Sequence, residues 1–155
     1  MFKTFIFSRL VLSCVLGVGV TSNTMAATST ACSPEMASRT DSLLLRSDVN
    51  WQELSQHHSA EGICDDGYFA EGYSDLVVRL FAYEWHDFGT FATTAKTRPR
   101  FYSWVLKHID ETASPDDLAK VLANAKRCLK DPTLGRVCRD VFHAANQALN
   151  RINSR

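Results

Sequence analysis

Three prolines at positions that suit the first turn of a helix constrain the fold of this chain more than any other feature. Pro34 and Pro115 each follow a serine, and Pro99 follows Arg98. Proline is well tolerated at the first helical position because its missing N–H has no partner there, and a preceding serine can cap the helix. Two acids follow Pro115 and place negative charge at the positive end of that helix. We therefore expect helices to begin at residues 34, 99 and 115.

Apolar side chains recur at helical spacing around these positions, and little of the chain alternates as a strand does. Asn50 and Glu53 form a capping-box arrangement for a short second helix. Asp75 and Arg79 lie one turn apart on a long helix and can pair, which would contribute only about 0.3–0.5 kcal/mol. Residues 88–96 predict only one or two weak turns. The fold class is therefore all-α, a single compact domain of six or seven helices, with longer helices predicted over residues 34–46, 67–85 and 134–150.

The first 26 residues have the composition of a secretory signal peptide. Lys3 and Arg9 charge its start, an apolar run covers residues 10–20, and Ala26 ends a small-x-small cleavage site. A membrane-spanning helix needs about 20 apolar residues, which is more than this run contains. The sequence thus predicts a cleaved signal over residues 1–26, a helical domain over residues 27–155, export and no membrane span.

Four cysteines remain after removal of the predicted signal, and an even number in an exported chain indicates disulfides. Four cysteines allow three pairings, between which the sequence does not decide. The short loop between Cys128 and Cys138 contains Pro132 and Gly135, which favours a local bridge. That pairing leaves Cys32 and Cys64 to form the second disulfide. A zinc site is the less favoured interpretation, since no C-x-x-C pair occurs.

Catalytic and cofactor motifs are missing from the sequence. It contains no nucleophile elbow, zinc-protease helix, phosphate-binding glycine loop or haem-attachment motif. Lys+Arg and Asp+Glu both number 17, and this balance argues against a nucleic-acid-binding protein, which needs a surplus of cations. We therefore predict a protein that is not an enzyme, needs no cofactor and binds no nucleic acid.

Histidines and acids near residue 60 offer the best candidates for a metal site. His57, His58, Glu61, Asp65 and Asp66 could gather around an ion. The favoured interpretation is a polar surface loop in which Asp65 or Asp66 caps the next helix.

His108 lies on an apolar helix face and is expected to be a hydrogen-bonded core residue. A hydrolase site built from His108 and Asp110 is disfavoured, because residues two apart do not share a helix face.

Charge is distributed unevenly along the chain. Residues 41–87 carry ten acids and two bases, whereas residues 96–139 carry ten bases and five acids. Solvated helix faces are the simpler interpretation, and a charged surface that docks a partner is the alternative.

Three segments combine into a family resemblance. They are Asp-Gly-Tyr-Phe-Ala-Glu-Gly-Tyr at residues 66–73, Phe-Tyr-Ser-Trp-Val-Leu-Lys-His-Ile-Asp at residues 101–110, and Asp-Asp-Leu at residues 116–118 with Asn124, Ala125 and Cys128 after it. Together they resemble the periplasmic immunity proteins that protect bacteria against family-four amidase effectors of type VI secretion systems. The resemblance spans roughly residues 62–140.

The resemblance implies a small, exported, mostly helical protein with disulfides, which binds a papain-like cysteine amidase that cuts the peptide stems of peptidoglycan. Members of that family insert a loop into the catalytic cleft of the amidase and also form homodimers. Such an immunity protein needs no catalytic residue, and a rigid loop loses little entropy on docking. The alternative function is a periplasmic metal- or small-ligand-binding module that uses His57, His58, Asp65 and Asp66.

Aromatic and arginine side chains on irregular backbone are typical of interface hot spots. On this ground two loops are the candidate contacts with the partner. Core packing is an equally good interpretation for the two aromatic residues of the first loop, and Trp104 is expected in the core. The candidate contact residues are Trp85, His86, Asp87, Phe88, Lys96, Arg98 and Arg100.

Overall fold

Helices begin at the three prolines, as predicted. The computed structural model describes residues 32–61 and 64–155, so the predicted signal peptide lies outside the described residues. This part of the chain is all-α and contains no strand. No helix in it is both long and apolar enough to cross a membrane. The elements are α1 (Pro34–Leu44), α2 (Trp51–Glu61), α3 (Gly67–Tyr83), a 3-10 turn (Trp85–Asp87), α4 (Phe88–Thr97), α5 (Pro99–Lys107), α6 (Pro115–Arg127) and α7 (Gly135–Asn153).

Side-chain caps form at two of the predicted helix starts. The Ser33 hydroxyl accepts a hydrogen bond from the Met36 N–H at 3.2 Å, and the Asn50 side chain accepts one from the Glu53 N–H at 3.0 Å. Each cap satisfies a backbone donor that has no partner within its helix. Ser114, in contrast, makes no side-chain cap at the start of α6.

The core lies between two groups of helices. α6 packs against α7 and α3, while α4 packs against α2 and α5. Phe81 on α3 connects the two groups, because its ring centroid lies 4.6 Å from that of Trp51 on α2 and 5.1 Å from that of Phe91 on α4. All three rings are at most 1 % exposed. Burial of large aromatic side chains is a major source of stability in a domain of this size.

Both predicted disulfides are confirmed. Cys32–Cys64 joins the start of α1 to the segment before α3 across 32 residues, and Cys128–Cys138 joins the end of α6 to α7 across 10 residues. On the loop-entropy model, crosslinks of these spans contribute about 4 and about 3 kcal/mol. The first bridge therefore fixes the start of the described chain, and the second fixes the connection between α6 and α7.

Two segments are more helical than the sequence predicted. α2 continues to Glu61, so that His57 and His58 lie on a helix rather than in a loop. α4 is a continuous helix over ten residues rather than one or two weak turns, although it contains four threonines. Burial explains the second difference, since α4 places Phe91, Ala92 and Ala95 against the core. Tertiary packing here outweighs the weak helix propensity of threonine.

Asp75 and Arg79, which could pair on α3, do not do so, and α3 ends two residues earlier than expected. The Arg79 guanidinium instead donates to the carbonyls of Arg46 and Ser47 at 3.0 and 2.9 Å. These carbonyls follow the end of α1, where backbone acceptors lack helical partners and a cation is favourable. Arg79 therefore joins α3 to the end of α1.

Candidate functional site

The first predicted contact group is divided between the core and the surface. The rings of Trp85 and Phe88 stack with centroids 4.3 Å apart, and Phe88 is only 3 % exposed. Phe88 is therefore a core residue, which removes it from the candidate contact surface. Trp85 is half-buried against it. His86 is exposed and lies 3.5 Å from the Glu84 carboxylate and 3.6 Å from that of Asp87.

The second predicted contact group lies at the other end of α4. Arg98 is the residue between α4 and α5, and its Nη1 donates to the Ser55 carbonyl, the Ser55 hydroxyl and the Ser59 hydroxyl, each at 2.9 Å. These bonds fix the guanidinium against α2. Lys96 and Arg100 are exposed on either side of it. The two predicted loops are thus separated by the length of α4, about 15 Å at 1.5 Å per residue.

A surface groove joins these two ends. Three adjoining recesses follow α2, with volumes of about 230, 260 and 580 Å³. Gln52 lines the first and the second, and Arg98 lines the second and the third. We call the first two recesses the α2–α4 groove; its lining residues are Asn50, Trp51, Gln52, Ser55, Gln56, Asp87, Thr90, Thr94, Thr97 and Arg98. We call the third the Arg98 recess, lined by His58, Ser59, Arg98, Pro99, Arg100 and Phe101.

The sequence analysis found the ends of this groove and missed its middle. The middle consists of neutral polar side chains, which carry no catalytic or binding motif. The sequence feature that could have identified these residues is their spacing. One helical turn separates Gln52 from Gln56 on α2, and Thr90 from Thr94 on α4. Polar residues at that spacing indicate an exposed helix face, but not that two such faces lie side by side.

A buried polar cluster lies on the inner side of α5. The His108 Nε2 is 2.9 Å from Asp65 Oδ1, without hydrogen-bond alignment, and its Nδ1 is 3.1 Å from the Ser74 hydroxyl. Ser74 Oγ is also 3.0 Å from the Asp110 carboxylate, and Trp104 Nε1 donates to Asp65 Oδ2 at 2.8 Å. Burial lowers the pKa of His108, and the nearby Asp65 charge opposes that change.

Serine, histidine and carboxylate side chains in contact are the groups that many hydrolases use. In this protein Ser74 is 1 % exposed and His108 is 2 % exposed, so the structure offers a substrate no approach to the serine hydroxyl. The prediction that His108 is a buried, hydrogen-bonded residue is confirmed. The prediction that His108 and Asp110 lie on different faces of a helix was wrong. α5 ends at Lys107, so neither residue is inside the helix, and both side chains contact Ser74. As arranged, the cluster holds α3, α5 and the segment after Cys64 together.

The candidate metal-ligating histidines have separate surroundings. His57 Nε2 lies 2.8 Å from the Tyr73 hydroxyl. The His58 ring packs on Trp104 with centroids 4.7 Å apart, and burial lowers its pKa. Each ring is therefore engaged with its own aromatic neighbour.

The candidate acids do not join these histidines in one site. Asp65 contacts the buried cluster, and Asp66 occupies the N-cap position of α3 without a side-chain cap bond. The side chain of Glu61 lies outside the described residues. Among the residues that the structure does describe, no group of three or more His, Cys, Asp or Glu side chains is placed to hold a metal ion.

The described part of the chain is a small all-α domain with two disulfides. It carries a polar surface groove, and Arg98 lies at one end of that groove. Comparison with protein-family models, with curated proteins and with solved structures gives no match. The functional argument therefore depends on the chain itself.

Proposed function

We propose that this protein is an exported, non-enzymatic immunity protein. It binds a papain-like peptidoglycan amidase of a type VI secretion system and occludes the active-site cleft of that enzyme. In this way it protects the wall of the producing cell and of its sister cells. The two disulfides support export, because such bridges persist in oxidising compartments such as the periplasm.

The observation that carries the proposal is how the segments of the family resemblance pack. The Tyr73 ring, from the first segment, lies 4.9 Å from the Trp104 ring of the second. The buried Asn124 side chain, from the third, donates to the Phe81 carbonyl of α3 at 2.9 Å. The first two segments thus contact each other, and the third contacts α3, the helix that carries most of the first segment. A family signature that defines a fold is expected to contribute to the core in this way.

Rigidity of the candidate contact surface also supports an inhibitor. α2 and α5 are joined through the Arg98–Ser55 and Arg98–Ser59 bonds, and Trp51 packs α2 against the core. A surface that is ordered before binding loses little conformational entropy on docking, so more of its contact energy appears as affinity. The α2–α4 groove and the exposed residues at its two ends are therefore the proposed contact with the amidase.

The proposal is tested by mixing the purified domain, residues 27–155, with the hydrolase encoded by the neighbouring reading frame. We expect a stable complex and loss of peptidoglycan cleavage at about one equivalent of the domain. An unrelated wall hydrolase serves as the control and should keep its activity. Full activity of the neighbouring hydrolase in an excess of folded domain would refute the proposal.

The family resemblance also includes homodimer formation, which we extend to this chain as part of the proposal. Light scattering coupled to size exclusion measures it directly. A mass near twice that of the domain is expected for the free protein. A monomer mass at all accessible concentrations would remove this part of the proposal and leave the inhibitory function standing.

A further inference from the structure

The Arg98 recess combines volume, positive charge and an aromatic wall. Its volume of about 580 Å³ is within the range of about 300–1,000 Å³ that is typical of ligand sites. Arg98 and Arg100 line its rim, while His58 and the buried Phe101 form its wall. The recess lies at the junction of α2 and α5, so two rigid helices define its shape.

The cations at this recess have no carboxylate partner in the described part of the chain. Arg98 donates only to neutral acceptors on Ser55 and Ser59. Those bonds orient the guanidinium without compensating its charge. Lys96 and Arg100 form no ion pair with any described residue. Arg46 pairs with two acids and Arg151 with one, whereas Arg79, like Arg98, donates to neutral acceptors.

The start of α5 adds to the positive potential. Arg98 occupies the N-cap position of this nine-residue helix, and no side chain caps it. The positive end of the helix dipole therefore coincides with the cations. Carboxylates are the natural complement of this surface, because the planar fork of an arginine matches the two carboxylate oxygens and gives a charge-assisted, bidentate contact.

We infer that the Arg98 recess receives an acidic side chain, aspartate or glutamate, from the partner protein. The inference rests on the proposed function, since that partner is the amidase. The carboxylate contacts Arg100 and the free edge of Arg98, and the aliphatic part of the same side chain packs on the half-buried ring of His58. Arg98 is held in advance by Ser55 and Ser59, so the contact needs little further ordering.

The test compares two charge reversals in the mature domain. Arg100→Glu changes the recess, and Lys126→Glu makes the same change of charge on α6, which packs mainly against α3 and α7. Both side chains are exposed, so both variants should fold, and a melting curve of each checks this. Affinity for the neighbouring hydrolase is then measured by calorimetry at about 50 and about 300 mM NaCl, between which the Debye length falls about 2.4-fold.

We expect Arg100→Glu to raise Kd by about tenfold or more and to weaken the salt dependence of binding, whereas Lys126→Glu changes Kd by less than about twofold. If wild type binds and Arg100→Glu binds equally well, the acidic-side-chain inference is overturned while the proposed function stands. Equal losses for the two variants also overturn it, because they indicate long-range attraction without a specific recess. If wild type does not bind the hydrolase, the proposed function fails and the inference fails with it.

Discussion

Replacement of His108 by alanine tests whether the buried polar cluster holds the fold together. His108 touches α3 through Ser74 and the segment after Cys64 through Asp65. Its ring also packs 4.4 Å from the Trp104 ring. Alanine removes all of these contacts at once and leaves a cavity next to a carboxylate that is largely buried.

The expected loss is worked from these contacts. A buried hydrogen-bonding group that loses its partner costs about 1–3 kcal/mol, and loss of an aromatic contact costs about 0.5–1.5 kcal/mol. With the cavity included, His108→Ala should lower the free energy of unfolding by about 3–4 kcal/mol. For a domain of this size that corresponds to a fall in melting temperature of roughly 12 °C or more.

Thermal and urea unfolding followed by circular dichroism measure this loss. The matched control is His143→Ala, because His143 is exposed on α7 and its ring packs edge-on with the ring of Phe142. The control should cost less than about 0.5 kcal/mol. If the two variants melt within about 2 °C of each other, the cluster does not stabilise the fold and the reasoning is refuted.

Three further outcomes follow from the same structure. Burial lowers the pKa of His108, so the unfolded chain binds a proton at a higher pH than the folded protein does. The free energy of unfolding should therefore be constant above about pH 7, decrease as the pH drops below about 6.5, and decrease less steeply in the His108→Ala variant. An equal slope in both proteins would exclude His108 as the source. Gly89→Ala should stabilise α4 by about 0.5–1 kcal/mol, because the added Cβ meets open space. Gly135→Ala should destabilise α7, because the added Cβ would lie 2.8 Å from the Leu129 carbonyl oxygen. Urea midpoints of the two variants that move in the same direction would contradict this. Replacing Cys32 and Cys64 by serine should lower the free energy of unfolding in urea by about 4 kcal/mol, and replacing Cys128 and Cys138 should lower it by about 3 kcal/mol. A larger loss for the second pair would argue against loop entropy as the main source of the stabilisation.

Local signals were sufficient to predict most of the fold. Pro34 and Pro115 fix helix starts through properties of their own residue, and the short span between Cys128 and Cys138 favours one pairing without knowledge of the rest of the chain. Predictions of this kind succeed because cause and effect lie within a few residues of each other.

Features that depend on tertiary contacts were not predictable in this way. α4 is helical because Phe91 packs into the core. Arg79 binds the carbonyls of Arg46 and Ser47, more than thirty residues earlier in the chain, rather than Asp75 one turn away. The cluster around His108 likewise depends on where α5 ends, which the periodic pattern did not show. The groove is a further case, since its two faces come from helices that are distant in sequence.

The account depends most on the claim that this chain neutralises a wall-cutting amidase in the periplasm. The direct measurement is survival of cells that express the neighbouring hydrolase with its own export signal, together with either the full chain or a chain that lacks residues 1–26. The full chain should prevent lysis, and the truncated chain should fail to do so although it accumulates. Lysis in the presence of the exported, disulfide-bonded full chain would contradict the account.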